Sequence, residues 1–424
     1  MPRLPIVTVL ALVDAGASGD PEGLEGVAAL TARTLDEGAG ALDGAALTEH
    51  FEAMGTAFEA SADWDSTVAR MSVTPARLDA AFATFAEILR APTFPERDVL
   101  RKRDERLDDL AQQLAEPRGL ADQRYTASLF APEARYAKPG GGNARSVRAL
   151  TVDAVRAFHA RHYGPATTTL IVVGDVGVDD AVRLMERRLG DWRTSVVPAA
   201  RSAMDTPRRG RRAMIITKAD APQSELRVGH VGVPRMHNDH LAIVVMNAIL
   251  GGLFSSRINL NLRERNAFTY GASSGYDWRR GAGPFVVSTA VKSDVTDRAV
   301  QEILREIDAM RAAPPSAEEV SLATDYLAGV FPIRYESTAA VAGALAGATM
   351  FGLPEDWFRT YRDRVQGISA ADVHAAARAH LDPSRLLVLA VGDPAVIEGP
   401  LGALGVAPVR VHPATYDPTE DVSA

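Results

Sequence analysis

The sequence predicts an α+β fold of two homologous domains in tandem, each a mostly antiparallel or mixed β-sheet packed against helices. Two observations carry this. LTVDAVRAFHARHYGPATTTLIVVGD (Leu150–Asp175) lies over ISAADVHAAARAHLDPSRLLVLAVGD (Ile368–Asp393) at a constant offset of 218 without gaps, with identities that include His162/His380, Pro165/Pro383, Gly174/Gly392 and Asp175/Asp393. Both halves also read in the same order: strand, helix, hairpin, helices, final strand. A duplicated unit of about 200 residues is the economical explanation. It divides the chain into 1–194, a linker 195–212 rich in Pro, Ala, Ser and Arg, and 213–424.

In the first half, Leu4 to Val13 is an apolar, β-branched run that predicts a buried strand. Gly26 to Glu37 reads as a helix stopped at Gly38, and Asp43 to Met54 as a second, stopped by Gly55. Thr56–Ala62 and Thr67–Val73 alternate apolar and polar residues around Asp63–Ser66, a hairpin pattern. Thr74-Pro75 opens a helix through Arg90. Helices at Glu96–Leu114 and Pro117–Phe130 follow. YAKPGGGNARS (136–146) reads as an exposed glycine loop, then a helix (Thr151–Tyr163), a strand (Thr167–Val173) and a helix (Val178–Leu189).

In the second half, strands are expected near Ala213–Ile216 and Gln223–Val233, with a helix at Leu241–Leu250. The stretch GGLFSSRINLNLRERNAFTYGASSGY (Gly251–Tyr276) reads as a short loop, a polar helix capped by serine near Ser255-Ser256, a break at Asn266-Ala267 and a strand from Phe268 to Tyr276. A strand through Phe285–Val291 completes a hairpin. Helices follow at Asp294–Met310, Ser316–Val330 (with a Ser316/Glu319 capping box), Thr338–Met350, Pro354–Val365 and Ala370–His380. Leu386–Val391 is the last strand, and the tail from Gly399 reads mostly as loop.

With 46% hydrophobic and 24% charged residues in 424, the composition is that of an ordinary globular protein. A net charge of −8 argues against a nucleic-acid partner, and the absence of cysteine excludes disulfides and thiolate zinc sites. No apolar run of membrane-spanning length is apparent, so no membrane span is expected. No targeting signal is visible. The expected compartment is therefore cytoplasmic, or periplasmic if a leader has been removed.

Arg263 near the end of one helix and Tyr270 at the start of the next strand could aim N–H and O–H donors at one point, where they would stabilise a carbonyl oxygen gaining charge. Taken alone, the stretch favours the plainer reading of Arg263 as a surface helix residue and Tyr270 as a half-buried strand residue. Gly140-Gly141-Gly142 lacks the Gly-Lys-Ser/Thr ending of a phosphate loop and reads as a turn or a surface loop at a subunit contact. The histidine pairs His159/His162 and His237/His240 have i,i+3 spacing, but neither comes with a glutamate in a zincin arrangement, and the recurrence of His162 as His380 suits a structural role.

AGASGDPEGLEGVAALTARTLDEGA, GNARSVRALTVDAVRAFHARHYGP with LIVVGD, and LGGLFSSRINLNLRERNAFTYGASS with FPIRYES together resemble the pitrilysin/insulinase family of zinc metallopeptidases. The similarity is greatest to the two-domain subunits of its mitochondrial-processing-peptidase branch and their bacterial relatives, and it covers nearly the whole chain. The resemblance implies a LuxS/MPP-like metallopeptidase fold. In active members a helix carries His-x-x-Glu-His, which binds Zn²⁺ and activates water. Here those positions fall on Ala29, Ala32 and Arg33, and the later glutamate ligand falls near Asp108 or Asp109. The degenerate motif implies no metal and no cofactor on this chain. LRERNAFTYGAS matches the family's Arg/Tyr motif, which implies that Arg263 and Tyr270 act in trans on a partner's site. The resemblance thus implies a non-catalytic subunit of a heterodimeric zinc metalloendopeptidase, inactive alone. Its partner would be a homologous His-x-x-Glu-His subunit holding the Zn²⁺. The substrate would be a peptide or an unfolded protein lying along a sheet edge of the partner. The short Gly251-Gly252 departs from the long glycine-rich loop of the mitochondrial substrate-recognising subunit and favours a bacterial-type partner subunit. The rival readings are a scaffold subunit derived from a peptidase and a homodimeric peptide-binding protein.

Overall fold

The computed structural model describes residues 4–196 and 206–420. Half of the expected linker 195–212, residues 197–205, therefore lies outside the described residues. Two compact units are present. One contains 4–110, the described part of 139–202, and 332–354; the other contains 111–138, the described part of 203–331, and 355–420.

The first unit is built on a four-stranded antiparallel sheet of β1 (Val7–Val13), β2 (Glu59–Ala62), β3 (Thr67–Val73) and β4 (Thr168–Gly174), in the order β2-β3-β1-β4. All of β1 is buried, which is why its sequence is a continuous apolar run rather than an alternating one. Val7, Val9, Ala11 and Val13 face a core that includes Leu30, Phe82, Phe85 and Phe158. Leu10 and Leu12 face the other way, with Ile171, onto Ala342 and Ala346 of the helix Thr338–Phe351. A buried hydroxyl pair, Thr8 to Thr338 at 2.8 Å, pins that helix to the sheet.

The second unit carries a six-stranded mixed sheet: β5 (Arg212–Thr217), β6 (Gln223–Val231), β7 (Ala272–Tyr276), β8 (Pro284–Lys292), β9 (Leu387–Gly392) and β10 (Val409–His412). The order is β10-β5-β9-β6-β8-β7, with β5 parallel to both β9 and β10 and the other pairs antiparallel. Within it β7-β8-β6-β9 reproduces the order β2-β3-β1-β4, so the duplication read from the sequence is a duplication of sheet topology. The tail expected to be loop instead forms the helix Pro394–Ala403 and the edge strand β10.

The compact units cut across the contiguous division 1–194 and 213–424. Thr338–Phe351 belongs to the first unit and Pro117–Leu129 to the second. Polar ties that include two to β8 and β6 fix the latter. The buried Tyr125 hydroxyl donates to the Phe285 carbonyl at 2.6 Å, and Arg227 on β6 reaches Asp122 at 2.6 Å.

Two further expectations need correction. Residues 136–146 are not an exposed loop: Tyr136, Gly142 and Ser146 are buried, and Asn143 caps a short helix, Ala144–Ala149. Gly142 sits at φ +74°, with the Glu25 carbonyl 2.2 Å from where a Cβ would stand, so only glycine fits. The helical run His240–Arg265 is long and apolar enough to cross a membrane by length and composition, but 61% of its apolar window is buried inside the unit, as in a core helix. The polar residues after Gly252 split this run in the sequence into a short apolar helix, Leu241–Leu250, and a polar segment.

Candidate functional site

The segment that carries Arg263 and Tyr270 is less regular than its sequence suggests. The helix His240–Asn247 passes into a wide turn, Ala248–Gly252, closed by an i+5 hydrogen bond from the Leu253 amide to the Ala248 carbonyl. After one helical turn, Arg257–Asn259, a second wide turn covers Leu260–Arg265, closed from the Asn266 amide to the Asn261 carbonyl. Such π-type turns are rare and cluster at functional sites. Ser256 stands at the N-cap, but its hydroxyl is buried without a partner, so the expected serine cap is not made. Gly251 allows the first turn to touch β7: a Cβ there would lie 2.4 Å from the Ser274 hydroxyl.

Ala267 ends the helix with φ 53°, a left-handed conformation that costs a non-glycine residue about 1 kcal/mol or more. The chain therefore turns before the sheet begins. β7 starts at Ala272, not Phe268, and Tyr270 projects from the turn at 94% exposure. It is neither in a strand nor half-buried.

Polar side chains hold this geometry. Asn259 donates to the Phe254 carbonyl at 2.6 Å and accepts from the Ala272 amide at 3.0 Å, tying the helical turn to the start of β7. Asn261, fully buried, donates to Glu302 and Glu306 and accepts from Asn266. These asparagines position the site, and nothing in their spacing marks them in the sequence.

Tyr270 and Phe254 line an open groove of about 560 Å³ together with Gly251, Gly252 and the β7 residues Ala272 and Ser273. Arg263 does not line the groove itself. Its guanidinium stacks on the Phe254 ring at 4.5 Å, a cation–π contact, and also approaches Glu264 at 3.4 Å. Arg263 and Tyr270 thus meet the same groove, one through Phe254 and one directly. β7 is the edge strand of its sheet, and side chains rather than a further strand cover its outer edge beside the groove: Asn259 accepts from the Ala272 amide and Asn247 donates to the Ser274 carbonyl at 3.1 Å.

A neighbouring ion pair steadies the turn. Arg257 donates through Nε and Nη2 to Glu319 at 2.6 and 2.8 Å, and Ser316 and Glu319 make the expected capping box. The Arg257 hydrogen bond holds the Glu319 carboxyl down to about 2, from an ordinary 4.5. A carboxyl depressed on folding stabilises fully above its unfolded value, and that contribution is lost as pH falls through its folded value. The melting-temperature gap between the wild type and Glu319→Gln should therefore be constant above about pH 5 and close as pH falls from about 4.5 to 2.

In the first unit, the motif helix is Val27–Thr34. Ala29 and Ala32 offer no ligand atom, and Arg33 Nη1 donates to Asp109 Oδ2 at 3.0 Å. The later carboxylate position therefore resolves at Asp109, not Asp108, and its partner is a guanidinium. A second cation stands close by. Burial and then the Arg33 charge lower the pKa of Arg106, which donates to the Gly141 carbonyl at 3.1 Å. One carboxylate facing two arginines, with alanines at the remaining positions, does not fit a divalent metal.

Elsewhere His237, Asp239 and His380 converge, with one potential ligand atom from each within 4.8 Å of the others. His380 Nε2 lies 2.7 Å from Asp239 Oδ2, linking the end of the helix Ala370–His380 to the start of the helix at 240. The sequence spacing pairs His237 with His240, whereas the fold pairs it with a residue of the repeat.

A profile described as Insulinase (Peptidase family M16) matches residues 2–134, and one described as Peptidase M16 inactive domain matches residues 149–327. An uncharacterised zinc protease of Streptomyces coelicolor is 23% identical over 71% of this chain, which spans 66% of that protein, just under two thirds. A Helicobacter pylori protein named non-peptidase homolog YmxG is 19% identical over 91% of this chain and 88% of its own length. The crystal structure of a peptidase M16 inactive domain from Pseudomonas fluorescens superposes with a TM-score of 0.85 at 25% identity, covering 92% of this chain and 94% of that one. With two M16 domains in tandem and no ligand set at the zinc motif, this chain belongs to peptidase family M16.

Proposed function

We propose that this chain is the non-catalytic subunit of a heterodimeric zinc metalloendopeptidase of the mitochondrial-processing-peptidase-like branch. It lends Arg263 and Tyr270 to a partner that carries His-x-x-Glu-His. The observation that carries this reading is the contrast between the two candidate sites. The zinc motif is replaced by an Arg33–Asp109 ion pair, while Tyr270 stands exposed at a groove built on strained and irregular backbone. A surface tyrosine with no contact to keep does not require that support for stability. The naming of a full-length relative as a non-peptidase homologue favours the same reading.

In this role the Tyr270 hydroxyl donates to the oxygen that gains charge as the peptide carbonyl is attacked, and Arg263 binds the substrate main chain beside it. The zinc of the partner supplies the polarised water. The substrate is a peptide or an unfolded segment.

The test is reconstitution. Co-expressed with a His-x-x-Glu-His homologue encoded in the same genome, the chain should co-purify as a 1:1 complex that cleaves a fluorogenic peptide library, and neither chain alone should match its rate. Recovery of the chain only as an integral part of a membrane complex, or only as a self-dimer that binds peptide without cleavage, would contradict the proposal.

A further inference from the structure

The expected linker ends in an arginine run, Arg208-Arg209-Gly210-Arg211-Arg212, that the peptidase reading leaves without a role. The run is not a solvated spacer. Gly210 turns it at φ +77°, and Arg212 opens β5. Together with Arg410 of the edge strand β10, its four arginines line a cavity of about 290 Å³ in the second unit, with Ser128 of the helix Pro117–Leu129 in the wall. Five arginines lining one small cavity are unexpected in a chain whose net charge is −8.

The cavity is held in shape by main-chain contacts. Arg212 Nη1 donates to the Ser128 carbonyl, Arg208 Nε to the Phe130 carbonyl at 2.9 Å, and Arg211 Nε to the Pro383 carbonyl at 2.5 Å. These bonds orient the guanidinium groups, and those of Arg211 and Arg212 are to carbonyls, which do not neutralise them. Among the described residues none of Arg209, Arg211, Arg212 and Arg410 is paired with a carboxylate. Burial and then the neighbouring charge of Arg208 push Arg212 down to about 10, so it remains cationic at neutral pH. Two buried polar atoms in the lining, Arg212 Nε and the hydroxyl of Ser128, itself 1% exposed, have no hydrogen-bond partner. An unmade hydrogen bond at a buried donor costs about 1–3 kcal/mol.

We propose that this cavity is a binding site for a small multivalent oxyanion of the phosphate class, diphosphate in size. Its volume sits at the lower end of the range for small-molecule sites, about 300–1,000 Å³. Guanidinium forks match phosphate oxygens bidentately. An anion there supplies acceptors for the two orphaned donors and charge for the unpaired cations. Because one element of the wall is β5, another β10 and a third the helix Pro117–Leu129, the bound anion would join the start of β5, the edge of the sheet and the covering helix.

The test is calorimetric titration of the full chain with sodium pyrophosphate, beside arms with ADP and with sulfate, at one fixed ionic strength near 150 mM. We expect 1:1 binding of pyrophosphate at least about 10-fold tighter than sulfate, weakened by about 10-fold or more in Arg212→Gln and also weakened in the exposed Arg410→Gln. An ADP affinity above that of pyrophosphate identifies a nucleotide as the source of the phosphates; equal or weaker ADP binding identifies a free phosphate. Arg410→Gln lies on the exposed edge strand and keeps the test valid if Arg212→Gln fails to fold. Pyrophosphate binding no tighter than sulfate, or unchanged in Arg410→Gln, overturns the proposal.

Discussion

Replacing Arg263 with alanine and Tyr270 with phenylalanine in the reconstituted pair should lower kcat/KM by about 10²- to 10³-fold, the usual effect of removing a donor to a developing oxyanion. The chain's own melting temperature should move little. Tyr270 is 94% exposed and loses only a solvated hydroxyl, and Arg263 loses a stacking contact with an exposed phenylalanine. Contacts of that kind contribute about 0.5–1 kcal/mol. The kinetic loss should divide by role. In the proposed roles, Tyr270→Phe should act mainly on kcat, as a donor used in the transition state would, and Arg263→Ala should also raise KM, as a group binding the substrate main chain would. Steady-state kinetics of the single and double variants, with thermal melts of the same preparations, separate these effects. An unchanged kcat/KM in the double variant would remove these two side chains from catalysis.

Replacing Arg227 with methionine should destabilise the second unit by about 3–5 kcal/mol, the range for removing one partner of a buried charge pair. The Arg227 side chain is 2% exposed and meets both Asp122, at 2.6 Å, and Glu225, at 3.0 Å. Asp122 is more than half exposed and can return to water, but Glu225, 14% exposed, is left without its cation. The Leu226 carbonyl also loses a donor at 2.8 Å. The helix Pro117–Leu129 then keeps its Tyr125 tie, the Arg212 bond to the Ser128 carbonyl, the Arg124 bond to the Ala414 carbonyl and its apolar face. For a unit of this size each kcal/mol moves the melting temperature by about 2–4 °C, so a fall of about 6 °C or more is expected by calorimetry. Asp122→Asn, which leaves Glu225 to compensate Arg227, should cost much less.

The contrast between Arg227 and Tyr270 also shows what the sequence could reveal. The constant offset between Leu150–Asp175 and Ile368–Asp393 identified a duplication, and the four shared strands follow from it. The apolar run at Leu4–Val13 implied a buried strand, and Val7–Val13 is one. The sequence could not show that the helices Pro117–Leu129 and Thr338–Phe351 belong to different units from their flanking segments. An apolar face states that a helix is buried, not which sheet buries it. Thr8 and Thr338 are two ordinary threonines until the fold sets them 2.8 Å apart.

At the candidate sites the legible part was residue identity and the illegible part was backbone. Ala29, Ala32 and Arg33 lack ligand chemistry in any conformation. The Arg33–Asp109 pair needs only the helix Glu96–Ala115 laid beside the motif helix. By contrast, nothing in LNLRERNAF announces a wide helical turn followed by a left-handed alanine. Local propensity favours a regular helix, and the deviation is imposed by Asn259 and Asn261 bonding across elements, with Asn266 folding back onto Asn261. The arginine run 208–212 read as linker because its composition resembles one; only β5 and β10 turn it into a cavity wall.

The central claim is that peptide hydrolysis needs two chains, one holding the metal and this one completing the pocket. The most direct measurement is the rate of peptide cleavage by this chain alone, with excess Zn²⁺, and again as it is titrated into a fixed amount of the His-x-x-Glu-His partner. The claim predicts no cleavage by the chain alone and a rate that rises to saturation at one chain per partner. Cleavage by the purified chain alone, or a partner rate that does not respond to its addition, would contradict it.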